Sequence, residues 1–301
     1  MKKQTILNYC NDNTLILPQS LYQMSDAHLI MAHSDASVFY KKINYEMRDI
    51  EFFTNNPCFI YVENGEETFT HPDGEQLILK SKEMLFIPKN TFMLSDFQSE
   101  NKPLIAFIIF FDQSLIKEFL KKTSGVIKKS PTKASSFKMP ASPHITSYME
   151  TLKTTYEEVS PSKELFQTKL LELLFLLDTL DNKESLRLFL TAENEDNTKR
   201  NIKYIMKEHG GSNLSIKDLA IISGRSQSSF NRDFKRQYGC TPNQWLKEQR
   251  LEKAHTMIKE TSLSITEIGL EIGYENTSHF IKAFKEKYGH TPKQIRLESF
   301  C

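Results

Sequence analysis

The feature that most constrains this chain is a sentence written twice. LSIKDLAIISGRSQSSFNRDFKRQYGCTP (214–242) returns as LSITEIGLEIGYENTSHFIKAFKEKYGHTP (263–292). Leu214, Ser215, Ile216, Leu219 and Gly224 match Leu263, Ser264, Ile265, Ile268 and Gly273 at an offset of 49. Phe230, Phe234, Tyr238, Gly239, Thr241 and Pro242 match Phe280, Phe284, Tyr288, Gly289, Thr291 and Pro292 at an offset of 50. Matches of this number with a single insertion mark a true internal duplication, so whatever one copy folds into, the other folds into as well.

Each copy begins with a short amphipathic stretch whose leading Ser can cap a helix, followed by a glycine suited to the left-handed residue that ends one. A second helix then carries an apolar ridge at i, i+4, i+8: Phe230, Phe234, Tyr238, and again Phe280, Phe284, Tyr288. Helix, glycine turn, helix is the helix-turn-helix layout, whose second helix enters a DNA major groove. In the closing Gly-x-Thr-Pro, Gly stops that helix, Thr caps the next and Pro takes its first position.

Opposite the ridge of the first copy stand Ser228, Asn231, Arg232 and Lys235, and in the second Ser278, Ile281, Lys282 and Lys285. Asn suits adenine, Arg suits guanine, and Ile offers only an apolar contact such as a thymine methyl. Ser226, Gln227, Arg236 and Thr277 complete the expected DNA-binding set. Between the copies, TPNQWLKEQRLEKAHTMIKE (241–260) reads as one unbroken helix. At about 1.5 Å per residue it spans roughly 28 Å, close to the ~34 Å turn of DNA, so two recognition helices would reach successive major grooves.

Charge agrees. The whole chain of 301 residues has a net charge of +1, but residues 199–301 carry 18 Lys and Arg against 11 Asp and Glu, a net of +7, and residues 1–198 a net of −6. Such asymmetry points to a polyanionic partner for the basic part, here double-stranded DNA.

On these residues the last hundred positions resemble the DNA-binding domain of the AraC/XylS family of bacterial transcription regulators. The resemblance is carried by TPNQWLKEQRLEKA and by Arg250-Leu251, Ala254, Ile268-Gly269, Gly273-Tyr274, Phe280, Phe284, Gly289 and Thr291-Pro292. It implies base-contacting positions at Ser228, Asn231 and Arg232 and at Ser278, Ile281 and Lys282. It also implies an activator that works with RNA polymerase. The first copy departs from the family's habit with Arg225, where an aromatic residue is frequent, and with small residues at 226, 228 and 229.

Residues 57–111 read as short strands, CFIYVE, ETFTH, EQLILK, MLFIP and PLIAFIIFF, separated by Asn64-Gly65, Pro72-Asp73-Gly74 and Pro88-Lys89-Asn90. A polar loop is expected over 121–142, two helices over 147–159 and 163–181, and a linker over 191–200. Strands at this spacing suggest a small barrel or a sandwich. The family resemblance implies the former, so the expected fold class is α+β: a cupin-like β-barrel with flanking helices over 1–190, and an all-α domain over 201–301 with helix-turn-helix units at about 214–239 and 263–289. In the family this N-terminal part binds a small effector or a regulatory protein and often dimerises. Helix 163–181 is apolar nearly all round, which reads either as packing on the barrel alone or as packing with a homodimer contact on a second face.

Phe53, Phe59, Tyr61, Phe69, Phe86, Phe92, Phe107 and Phe110 are candidates either to line a pocket for an apolar effector or simply to fill the barrel. His28, His33 and His71 lack the His-x-His of a metal-dependent cupin, so no metal, cofactor or catalytic residue is expected. The rival readings are a cupin-type enzyme fused to a DNA-binding tail and an architectural DNA-binding protein without effector control. Four scattered cysteines, no apolar leader and no run near ~20 apolar residues lead to a cytoplasmic expectation without a membrane partner.

Overall fold

The structure, a computed structural model, describes residues 3–298 apart from 12, 99–101, 124–133, 157–158, 160, 182, 196–198, 210–213 and 275. Two compact units emerge, Met1–Thr198 and Lys199–Cys301. The strands of the first are β1 (Leu15–Leu17), β2 (Ala27–His33), β3 (Ala36–Ile43), β4 (Met47–Thr54), β5 (Cys58–Asn64), β6 (Glu66–Thr70), β7 (Gln76–Lys80), β8 (Glu83–Ile87), β9 (Thr91–Phe97), β10 (Leu104–Phe110) and β11 (Phe137–Pro140). Its helices are α1 (Ile6–Cys10), α2 (Gln113–Lys122), α3 (Pro143–Tyr156), α4 (Lys163–Leu180) and α5 (Ser185–Glu195). The second unit holds α6 (Ile202–His209), α7 (Ile216–Ile222), α8 (Gln227–Tyr238), α9 (Pro242–Glu260), α10 (Ile265–Glu271), α11 (Thr277–Tyr288) and α12 (Pro292–Glu298).

The strands form two sheets, in the orders β1-β4-β9-β6-β7 and β11-β8-β5-β10-β3-β2. The α+β class therefore stands, but the barrel does not close: β1 and β7 edge one sheet, β11 and β2 the other. The six-stranded sheet explains the runs CFIYV and LIAFIIF. Alternate residues, Ile60, Val62, Ala106, Ile108 and Phe110, enter a core shared with the five-stranded sheet. Their neighbours Phe59, Tyr61, Phe107 and Ile109 enter a second core under α2, α3, α4 and α5. A strand buried on both faces has no reason to alternate polar and apolar residues.

That division corrects the single aromatic pocket. Phe59, Tyr61, Phe86 and Phe107 belong to the helix-side core, whereas Phe69 and Phe110 lie between the sheets. Phe53 packs with Phe92 at 4.7 Å. Pleating sends successive side chains to opposite faces, so neighbouring aromatics cannot line one cavity. The space left between the sheets, beside Leu17, Ile60, Phe69 and the buried Lys41–Glu67 pair, is about 40 Å³.

Two expectations about loops also change. Within 121–142, Lys121 and Lys122 finish α2, and Phe137–Pro140 pairs antiparallel with β8. Phe137 is drawn in by stacking on Phe86 at 4.6 Å and packing on Phe189 at 5.6 Å; residues 124–133 lie outside the described residues. The expected linker is helical as far as Glu195. Its polar residues are tied down: Glu193 accepts from the Lys89 amide at 3.2 Å, and Gln113 Nε2 donates to Asn194 Oδ1 at 2.8 Å.

Helix α4 is capped by Ser162, whose hydroxyl accepts from the Leu165 amide. Leu173 and Leu177 are fully buried in the same chain's helix-side core, so they are not a dimer surface. The exposed side of α4 carries Leu165, at 40% exposure, and an open groove of about 480 Å³ against α3, lined by Tyr148, Lys169, Glu172 and Leu176. No helix among the described residues is long and apolar enough to cross a membrane.

Candidate nucleic-acid interface

The first helices of the two repeats are capped in the same way. Ser215 Oγ accepts from the Asp218 amide at 3.2 Å while Asp218 Oδ2 accepts from the Ser215 amide at 2.9 Å. Ser264 and Glu267 repeat this reciprocal cap at 3.2 and 2.7 Å. Gly224 and Gly273 then turn the chain at φ +67° and +82°. The single insertion falls in the segment after those glycines, before α8 and α11, leaving both helices twelve residues long.

Gly239 and Gly289 end α8 and α11 in the left-handed conformation, at φ +74° and +78°, and donate their amides to Lys235 and Lys285 carbonyls. Thr241 caps α9 reciprocally with Gln244, and Thr291 does the same at α12 with Gln294. The two glutamines were legible as T-x-x-Q capping boxes.

The apolar ridges point inward. Phe230, Phe234, Phe280 and Phe284 are fully buried, with Tyr238 stacked on Phe234 at 4.4 Å and Tyr288 against Phe284 at 4.6 Å. What remains outward on α8 and its cap is Ser226, Gln227, Ser228, Asn231, Arg232, Lys235 and Arg236, all exposed. On α11, Ser278, Lys282 and Lys285 are exposed and Thr277 is half-buried. Ile281 is half-buried too, packed against the core of the second unit. Ser226 caps α8, accepting from the Ser229 amide.

One acidic residue stands among these cations and escaped the sequence reading. Asp233 is nearly buried on α8 and holds Arg225 at 3.2 Å, Arg236 at 3.3 Å and Arg232 at 3.8 Å. Hydrogen bonding from Arg225, opposed by burial and reinforced by the charges of Arg236 and Arg232, keeps its carboxyl below the usual range. Arg232 and Arg236 stay 76% and 73% exposed, free to swing toward a phosphate or a base edge. The 19-residue helix α9 joins the units, and Lys287 of α11 is tied to it through Glu252 at 3.0 Å and the Glu248 carbonyl at 3.1 Å.

A helix-turn-helix domain family matches residues 219–298. The ExsA N-terminal regulatory domain family matches residues 57–189. The chain is 24% identical over 252 residues to the HTH-type transcriptional regulator ExsA of Pseudomonas aeruginosa, covering 80% of this chain and 90% of that protein. It is 26% identical over 156 residues to the virulence regulon transcriptional activator VirF of Yersinia enterocolitica, covering 52% of this chain and 57% of VirF. A crystal structure of ToxT from Vibrio cholerae O395 superimposes with a TM-score of 0.39 at 12% identity, over 87% of this chain and 97% of that one. Together the two family matches and these relatives support an AraC/XylS-family transcription regulator.

Proposed function

We propose that this protein is a sequence-specific DNA-binding transcription regulator, acting as an activator, that reads two successive major grooves. The observation that carries the reading is the pair of matched helix-turn-helix units, each presenting a polar and basic stripe outward, joined by the single helix α9. The bases are read through Ser228, Asn231 and Arg232 in the first unit and Ser278, Lys282 and the exposed edge of Ile281 in the second. Lys235, Arg236 and Lys285 serve phosphates, and Ser226, Gln227 and Thr277 stand where the helix N-termini meet the backbone.

Selection of the full chain against a random duplex library tests this directly. The expected product is a site of two conserved patches about 10 base pairs apart. A chain that binds all duplexes equally, or none at low salt, would refute it.

Control passes through the N-terminal unit, and protein contact is the mode we favour over an apolar effector lodged between the sheets. The interior cavity of about 40 Å³ supports this, since a ligand pocket needs roughly 300 Å³ or more. Resemblance of residues 57–189 to a regulatory domain supports control through this unit. The protein acts as a homodimer through the outer side of α4, around Leu165 and the α3–α4 groove, and with RNA polymerase at its promoters. Sedimentation of the 1–198 unit tests the dimer: a monomer at tens of micromolar would remove that part of the reading.

A further inference from the structure

The two repeats differ at one coupled pair of positions. Arg225 follows Gly224 as Tyr274 follows Gly273, and their amides donate to equivalent carbonyls, Ala220 at 3.0 Å and Gly269 at 2.9 Å. Asp233 corresponds to Ala283 at the offset of 50, and both are nearly buried, at 8% and 7% exposure. The second unit thus fills the angle between turn and recognition helix with Ala283, in its apolar core, and Tyr274, half-buried against that core. The first unit fills the same angle with an ion pair, its side chains 10% and 12% exposed.

The Arg225 guanidinium has further partners. Nε donates to Asp233 Oδ2 at 3.2 Å, and Nη1 donates to the carbonyls of Ser223 at 2.9 Å and Arg200 at 2.7 Å. Arg200 stands just before α6, where the chain enters the DNA-binding unit. One planar fork therefore joins three places: the entry of the chain, the turn, and the recognition helix α8. At the second turn the neighbouring guanidinium comes from elsewhere, Arg250 of α9, 3.6 Å from where a Cβ on Gly273 would lie.

We propose that Arg225 is a positioning residue for the first recognition helix, tying α8 through Asp233 to the Arg200 carbonyl at the chain's entry. The inference rests on the DNA-binding reading above and deepens it. It makes the two units unequal: displacement of the segment before α6 reaches α8 through this fork, while α11 is held from α9. It also gives Asp233 a reason to sit among cations, since it anchors Arg225 and leaves Arg232 and Arg236 at its outer edge.

Two full-length variants test it. Arg225→Lys keeps a positive charge beside Asp233 but loses the fork that serves three acceptors at once. Arg225→Tyr with Asp233→Ala installs the second unit's own solution, which avoids a stranded buried charge. Both are compared with the wild-type chain on the site that the wild-type chain selects, by melting, binding and hydroxyl-radical footprinting. The expected result is a melt near that of wild type, about ten-fold weaker binding, and loss of protection confined to the half whose preference Arg232→Ala relaxes. Amide exchange in residues 202–206 should also quicken in both variants without DNA.

Wild-type affinity and a complete footprint in either folded variant would overturn the proposal, as would equal loss in both halves. If the wild-type chain selects no sequence, the DNA reading fails instead, and unchanged exchange at 202–206 alone then overturns the tie.

Discussion

His255 stacks on Tyr288, ring centroids 4.7 Å apart and 21° from parallel, at the seam where α9 meets the second recognition helix. Burial, and then the charges of Lys259 and Lys287, lower the pKa of this imidazole. The folded unit therefore prefers it neutral, and the unfolded chain binds the proton more readily. Stability on this account is full above the ordinary histidine value of about 6.5 and declines as pH falls below it, levelling off once the folded-state pKa is passed. Melting of the full chain between pH 7.5 and 5 checks this. In His255→Phe, which keeps a stacked ring, that part of the decline should vanish, and an unchanged pH dependence would place its origin elsewhere.

Arg232 and Lys285 should separate specificity from affinity. Arg232 can grip a guanine edge with two donors, whereas Lys285 presents a point charge to a phosphate. Arg232→Ala is expected to cost about 1–3 kcal/mol and relax preference in one half of the site. Lys285→Ala should weaken all sequences alike and lower the salt slope by about one charge. Both side chains are exposed, so circular dichroism should not change; equal losses on all sequences for Arg232→Ala would make it a backbone contact.

The α4 helix offers a matched pair of substitutions. Leu173 is fully buried in the helix-side core, and Leu173→Ala should cost about 2–5 kcal/mol in a denaturant melt of the 1–198 unit. Leu165 is 40% exposed, so Leu165→Glu should leave that melt within about 0.5 kcal/mol and produce monomers in sedimentation. A persistent dimer in Leu165→Glu would move the contact off this face.

Between the two sheets, Lys41 Nζ donates to both carboxylate oxygens of Glu67, at 2.6 and 2.9 Å, and Ser95 Oγ donates to Oε1 at 2.6 Å. Both side chains are under 10% exposed. Removing one partner strands a charge: Lys41→Met should destabilise by about 3–5 kcal/mol, while Lys41→Met with Glu67→Leu should recover most of that loss. A denaturant series on the three proteins decides the point, and additive losses would mean that the pair is not coupled.

Much of the DNA-binding unit was legible in the chain itself because its signals are local. Ser215, Ser264, Thr241 and Thr291 stand where caps are needed, glycines stand where φ is positive, and Phe230, Phe234, Phe280 and Phe284 recur at the helical period. Helix geometry follows from neighbours within four residues, so a duplicated pattern read one residue at a time already names the buried and the outward faces. The outward stripe from Ser228 to Lys235 was fixed by that period alone.

Tertiary structure decided what depends on residues far apart. Strands β2, β3, β4 and β9 carry no regular alternation over much of their length, and only their partners across two sheets define them. Sidedness of the eight aromatics followed from pleat and register, which sent Phe59 and Ile60 into different cores. Polar residues at 191–195 looked like a linker until Lys89 and Gln113 supplied their partners. Arg225 looked like a departure from the family's aromatic habit; only folding brought it to Asp233 and to the Arg200 carbonyl. A helix cap needs a neighbour in sequence, whereas a buried charge needs a partner in space, and that difference set the limit of what the chain alone could tell.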